Sequence, residues 1–84
     1  MSRVHDIQSV SMDEIYLYLA VDGRAYRIRW DACSRRLARA THSERKAFEV
    51  SPSGYGIHWP EVDEDLAITP LLRRAEVLTA EPVC

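Results

Sequence analysis

Only two cysteines, Cys33 and Cys84, occur in this sequence, too few for the disulfide framework of small secreted folds and without the paired spacing of a zinc site. Both are expected to be reduced thiols. No apolar run exceeds the seven residues 15–21, far short of the roughly 20 that span a bilayer as a helix, so no membrane association is expected. The opening Met1-Ser2-Arg3-Val4-His5-Asp6 lacks the apolar stretch of a secretory signal, which makes the cytoplasm the expected location. Glycine is also sparse. Gly54-Tyr55-Gly56 lies between strand-like runs with no helix after it to hold a phosphate, so it reads as turn and strand geometry rather than a nucleotide loop. Internal repeats, low-complexity segments and interdomain linkers are absent too.

What the chain does have is an ordinary globular composition, with 46% hydrophobic and 29% charged residues over 84 positions. A chain this short supports one core, so a single domain over residues 1–84 is expected, its core over about 4–78 and its tail at 79–84 frayed. Charge is unevenly divided. Residues 1–46 carry nine basic and six acidic groups, and residues 47–84 two and seven, so a net charge of −2 conceals halves of +3 and −5. That split either makes opposite patches that steer a partner or neutralises itself when the halves interleave.

The hydrophobic pattern predicts an α+β fold: a small antiparallel sheet of two hairpins, about four to five strands, packed on two to three short helices. Val4, Ile7 and Val10 suggest a first strand. Ile15-Tyr16-Leu17-Tyr18-Leu19-Ala20-Val21 and Arg24-Ala25-Tyr26-Arg27-Ile28-Arg29-Trp30 flank Asp22-Gly23, a dipeptide suited to the positive backbone angles of a tight hairpin turn. In the second of these strands Tyr26, Ile28 and Trp30 share one face and Arg27 and Arg29 the other. Cys33, Leu37 and Ala40 then recur at helical spacing over residues 31–40, and Thr41-His42-Ser43-Glu44 has the form of a capping box opening a second helical segment to about Phe48. Residues 49–59 read as a second hairpin turning at Pro52, Ser53 and Gly54, with Ile57 and Trp59 facing together. Pro60 ends it, and the acidic Glu61-Val62-Asp63-Glu64-Asp65 reads as an exposed connection. Thr69 as N-cap and Pro70 at the first helical position predict a last helix whose Leu71, Leu72, Ala75 and Leu78 cover one side.

Chemistry is thinly represented. His5, His42 and His58 are scattered, no metal or cofactor site is expected, and Cys33 with His58 lacks the third orienting group that a nucleophile and base need. Three surfaces compete. Asp63, Glu64 and Asp65, with Glu61, His58 and Trp59, make a candidate partner-binding surface, against the plainer readings of a solvated acidic loop and a core tryptophan. Arg35, Arg36, Arg39 and Arg45, extended by Lys46, Arg27 and Arg29, make an alternative basic face for nucleic-acid phosphates. The sequence pI of about 5.9 argues against binding of DNA unaided. His58, Asp63 and Asp65 would be the acid–base or metal groups of a small enzyme, if one cleft held all three.

The stretch from Phe48 to Leu66, and within it Tyr55-Gly56-Ile57-His58-Trp59-Pro60 with Asp63 and Asp65, resembles domain-of-unknown-function family 2442, whose members carry a similar Ile-x-Trp-Pro and acidic pattern. The hairpin at Asp22-Gly23 fits as well, so the resemblance covers about residues 4–74. It implies a small bacterial α+β fold, sometimes encoded beside a short partner of domain-of-unknown-function family 4160 in arrangements like toxin–antitoxin pairs. Some relatives carry a helix-turn-helix, for which the residues after Leu78 leave no room. It supplies no catalytic residues. The expectation is a non-catalytic protein-binding module, antitoxin-like or adaptor, docking a partner protein such as a small basic toxin. A nucleic-acid-binding regulator using the arginine face, an inhibitor protein from a mobile element, and a homodimer are the alternatives.

Overall fold

A computed structural model describes residues 5–78; the expected involvement of Val4 in the first strand, the frayed tail at 79–84 and the state of Cys84 lie outside them. The first sheet is an antiparallel meander of β1 (Ile7–Met12), β2 (Tyr16–Val21) and β3 (Arg24–Arg29), with β7 (Glu76–Val77) added on the β3 edge. Its central hairpin forms where the sequence placed it. Asp22 and Gly23 take φ of 52° and 82°, the two positive angles a type I′ turn requires, and Val21 pairs with Arg24 across it. Leu17, Leu19, Val21 and Ile28 face inward and are buried, while Tyr16, Tyr18, Arg27 and Arg29 occupy the opposite face.

Three short helices follow: α1 (Trp30–Cys33), α2 (Arg35–Arg39) and α3 (His42–Lys46). The single helix expected over 31–40 is broken at Ser34, which is extended (φ −169°, ψ 159°) and turns its side chain to accept from the Leu37 amide. The break costs one helical turn but supplies a cap, a role serine performs better than a helix interior. Trp30 opens α1 instead of closing β3. At the next junction the capping box is complete: Thr41 Oγ1 accepts from the Glu44 amide at 3.1 Å, and the Thr41 amide donates to Glu44 Oε1 at 2.8 Å. The helix it opens stops at Lys46 rather than Phe48.

The second sheet comprises β4 (Glu49–Val50), β5 (Gly56–Trp59) and β6 (Glu64–Ala67), all antiparallel. β4 and β5 are the expected second hairpin. Gly54 in its turn has φ of +75°, and a Cβ there would lie 1.8 Å from the His5 carbonyl oxygen, so both backbone angle and space demand glycine. The acidic connection is corrected. Asp63 takes the left-handed region at φ 53°, which aspartate tolerates better than most residues, and Glu64 and Asp65 return as strand β6 instead of leaving the sheet.

The last helix, α4 (Ile68–Arg74), begins two residues earlier than expected, with no side-chain cap at Ala67. Thr69 serves another purpose: its hydroxyl lies 2.8 Å from His5 Nε2, while His5 Nδ1 donates to Asp22 Oδ2 at 2.7 Å. The helix does not continue to Leu78. Ala75 leaves it, Glu76 and Val77 pair with Arg27 and Tyr26, and Leu78 is exposed.

Both sheets and the helices share one core: Leu17, Leu19, Val21, Ile28, Trp30, Cys33, Leu37, Ile57, Trp59, Ile68 and Leu71. The indoles of Trp30 and Trp59 meet edge to face at 6.3 Å between centroids, the arrangement that ring quadrupoles favour. The fold is therefore the expected α+β class, built as a four-stranded and a three-stranded sheet with four short helices among the described residues. None of those helices is long and apolar enough to cross a membrane.

Candidate docking groove

Strand alternation decides which side chains of the second sheet reach solvent. Ile57 and Trp59 point inward, at 1% and 0% exposure, so Gly56 and His58 point outward. His58 is paired across the ladders with Glu49 on β4 and Asp65 on β6, which places one imidazole in a row between two carboxylates. His58 Nδ1 donates to Asp65 Oδ1 at 2.8 Å. Behind this row lies a bare one. Gly56 is opposite Ala67, and the Ser51 amide donates to the Gly56 carbonyl at 3.0 Å, so neighbouring strands offer only small side chains there. A Cβ on Gly56 would come within 2.6 Å of the Leu66 carbonyl oxygen, which holds that floor empty. The result is an open groove of about 280 Å³, lined also by Val50, Pro52 and Tyr55. Tyr55 is 62% exposed.

The expected partner-binding residues are only partly brought together. His58 and Asp65 lie in the groove. Trp59 is removed from any binding surface: it is fully buried and its indole nitrogen donates to the Arg45 carbonyl at 2.9 Å, because its inward position in β5 makes it the centre of the core. Glu61 is exposed in the turn after Pro60. The Asp63 carbonyl accepts from Arg36 Nη1 at 2.7 Å, and Glu64 is half-buried, its Oε1 accepting from the Asp65 amide at 3.1 Å. Glu49 and Tyr55 join the groove unforeseen. The expected turn at Pro52, Ser53 and Gly54 would have set Glu49 opposite Ile57; the observed turn also takes in Tyr55, so Glu49 pairs with His58, and nothing in the sequence distinguished Tyr55 as a groove wall.

The basic face is likewise dispersed. Arg35 and Arg39 are exposed on α2, but Arg45 is corrected to a core residue at 8% exposure. Its guanidinium donates to the carbonyls of Leu37 at 2.9 Å, Ala38 at 3.0 Å and Glu14 at 3.2 Å, and lies 4.7 Å from the centre of the Trp30 ring. Those carbonyls sit at the C-terminal end of α2 and in the β1–β2 connection, where a cation satisfies acceptors the helix leaves open. Arg27 is committed to Glu76, with Nε to Oε1 at 2.6 Å, and stacks over Tyr16 at 4.4 Å; Arg29 pairs with Asp31 at 3.2 Å. The Arg27–Glu76 and Arg36–Asp63 links join the basic and acidic halves of the chain in space.

Neither the Cys33 and His58 pair nor the His58, Asp63 and Asp65 set assembles as a site. Burial pushes the Cys33 thiol up from 9.0 to about 12, so no thiolate is at hand, and Asp63 lies on the Arg36 turn, apart from the His58–Asp65 pair. Among the described residues no three His, Cys, Asp or Glu side chains converge as a metal group. What the groove offers is two carboxylates flanking an oriented imidazole, next to a bare floor with apolar walls.

The architecture is that of a small α+β domain of two antiparallel sheets, with one exposed sheet face hollowed into a groove. The chain belongs to the family described as Protein of unknown function (DUF2442), whose model matches residues 7–77. No curated protein and no solved structure matches it.

Proposed function

We propose that this protein is a non-catalytic docking module of the cytoplasm, an antitoxin-like or adaptor protein, which binds a partner protein through the groove on its second sheet. The observation that carries this reading is the groove itself, where small residues on adjacent strands lie beside exposed Tyr55 and end at Glu49, His58 and Asp65. Tyrosine is among the residue types that carry binding energy at interfaces, and a concave apolar patch with a few polar groups at one end gives both area and orientation. The groove is the anchor and not the whole contact, since a stable interface buries around 800 Å² on each partner.

Support for the basic-face alternative is weaker, because Arg45 holds the core together and Arg36, Arg27 and Arg29 have partners within the chain. The test is co-expression with the product of the adjacent short reading frame. Co-elution of the two is expected, with loss on Ala67→Phe, which fills the groove, or Tyr55→Ala, at unchanged thermal midpoint. Absence of a complex, or a complex indifferent to both substitutions, overturns the proposal.

A further inference from the structure

We infer that the groove receives an arginine side chain from its partner, with the guanidinium held between Glu49 and Asp65 and its stem lying along the bare floor. This inference rests on the docking reading and names the chemistry of what docks. Directly opposed residues in a sheet stand about 5 Å apart at Cβ, so the Glu49–His58–Asp65 row sets the Cβ atoms of its two acidic residues roughly 10 Å apart on one face. The Asp65 side chain is 78% exposed and that of His58 37%. Asp65 gives Oδ1 to His58, and Oδ2 is left to accept from an incoming donor. None of the described residues lining the groove is Lys or Arg, so its charged groups favour a cation.

Shape selects between the two cationic side chains. A guanidinium is planar, presents five donors in a fixed fork and stacks on aromatic rings, whereas an ammonium is a compact, strongly hydrated point charge. The floor at Gly56 and Ala67 carries no long side chain, and Tyr55, Val50 and Pro52 offer surfaces for a flat group and an aliphatic stem. Bidentate contact with a carboxylate rewards that geometry.

The experiment titrates the isotope-labelled full chain with three capped tripeptides, acetyl-Val-Arg-Val-amide and its Lys and Glu counterparts, following backbone amide shifts. The arginine peptide is expected to move Gly56, His58 and Ala67, to bind roughly tenfold more tightly than the lysine peptide, and to be weakened about tenfold by Asp65→Asn or Glu49→Gln. The glutamate peptide should leave those amides unmoved. Equal binding of lysine and arginine, binding of the glutamate peptide, no shift at millimolar peptide, or movement of the same amides by an unlabelled second copy of the chain overturns the inference. The co-expressed partner separates the two levels. Capture that depends on Tyr55 and Ala67 but not on Glu49 or Asp65 removes the arginine and keeps the docking; capture indifferent to all four removes both.

Discussion

Replacing Arg45 by methionine removes a cation from the centre of the fold and leaves a shorter, unbranched apolar side chain in its place. The three carbonyls it serves, at Leu37, Ala38 and Glu14, belong to the backbone and cannot be substituted away. This distinguishes Arg45 from buried ion pairs, where exchanging every partner for apolar groups is often harmless. Each buried acceptor left without a donor costs about 1–3 kcal/mol, with partial relief where water reaches. Loss of the contact with the Trp30 ring adds about 0.5–2 kcal/mol. Together these give a loss of about 3–5 kcal/mol, against a total of about 4–13 kcal/mol for a chain of 84 residues. Urea unfolding at 25 °C, followed by fluorescence of the two tryptophans that flank Arg45, measures the loss directly. The thermal midpoint should fall by roughly 15–25 °C. Arg45→Lys keeps the charge and reaches fewer carbonyls, so a loss of about 2 kcal/mol is expected there. A loss below about 1 kcal/mol for methionine would refute the reasoning, because it would mean that those carbonyls need no donor.

Two further outcomes follow from the titrating groups. Cys33, buried and raised to about 12, should resist a disulfide reagent at about pH 8 in a Cys84→Ser background and react fully once urea unfolds the chain; native reaction at the rate of a free thiol would contradict its burial. Hydrogen bonds from Tyr18 to Asp13, from His5 to Asp22 and from Arg27 to Glu76 hold those carboxyls below their ordinary values of 3.8, 3.8 and 4.5. A lowered folded pKa stabilises above the ordinary value and ceases to do so as pH falls through the lowered one. Urea midpoints should therefore be steady above about pH 5 and fall steadily below about pH 4, with a shallower fall in Asp13→Asn; identical acid profiles for that variant and the parent would refute the assignment.

Local chemistry made much of this fold legible. Asp22-Gly23 between two alternating runs and Thr41 three residues before Glu44 are short-range signals, and both formed as read. The misreadings needed distant information. Cys33, Leu37 and Ala40 keep helical spacing across Ser34, so periodicity alone conceals the break that the serine cap makes. Glu61 to Asp65 looks like a solvated loop until Asp63 adopts a left-handed turn and sends Glu64 and Asp65 back along β5. Arg45 reads as one more surface cation on a basic helix. Its burial depends on Trp30, Trp59 and the end of α2 meeting around it, which no window of the sequence contains. The groove was half visible for the same reason: His58 and Asp65 lay in the conspicuous motif, whereas Glu49 enters through strand register.

The clasp at His5 bears on how the molecule assembles. The His5 imidazole ties the hairpin turn at Asp22 to Thr69 at the start of α4, which lies 64 positions beyond His5 in sequence, and the His5 carbonyl passes over Gly54. Closing a loop of that length is entropically slow to begin and returns nothing until both ends have arrived. The meander and the capped helices can form from neighbours alone, but this knot waits for α4. On loop closure alone, it is expected to be among the last contacts made when the chain folds.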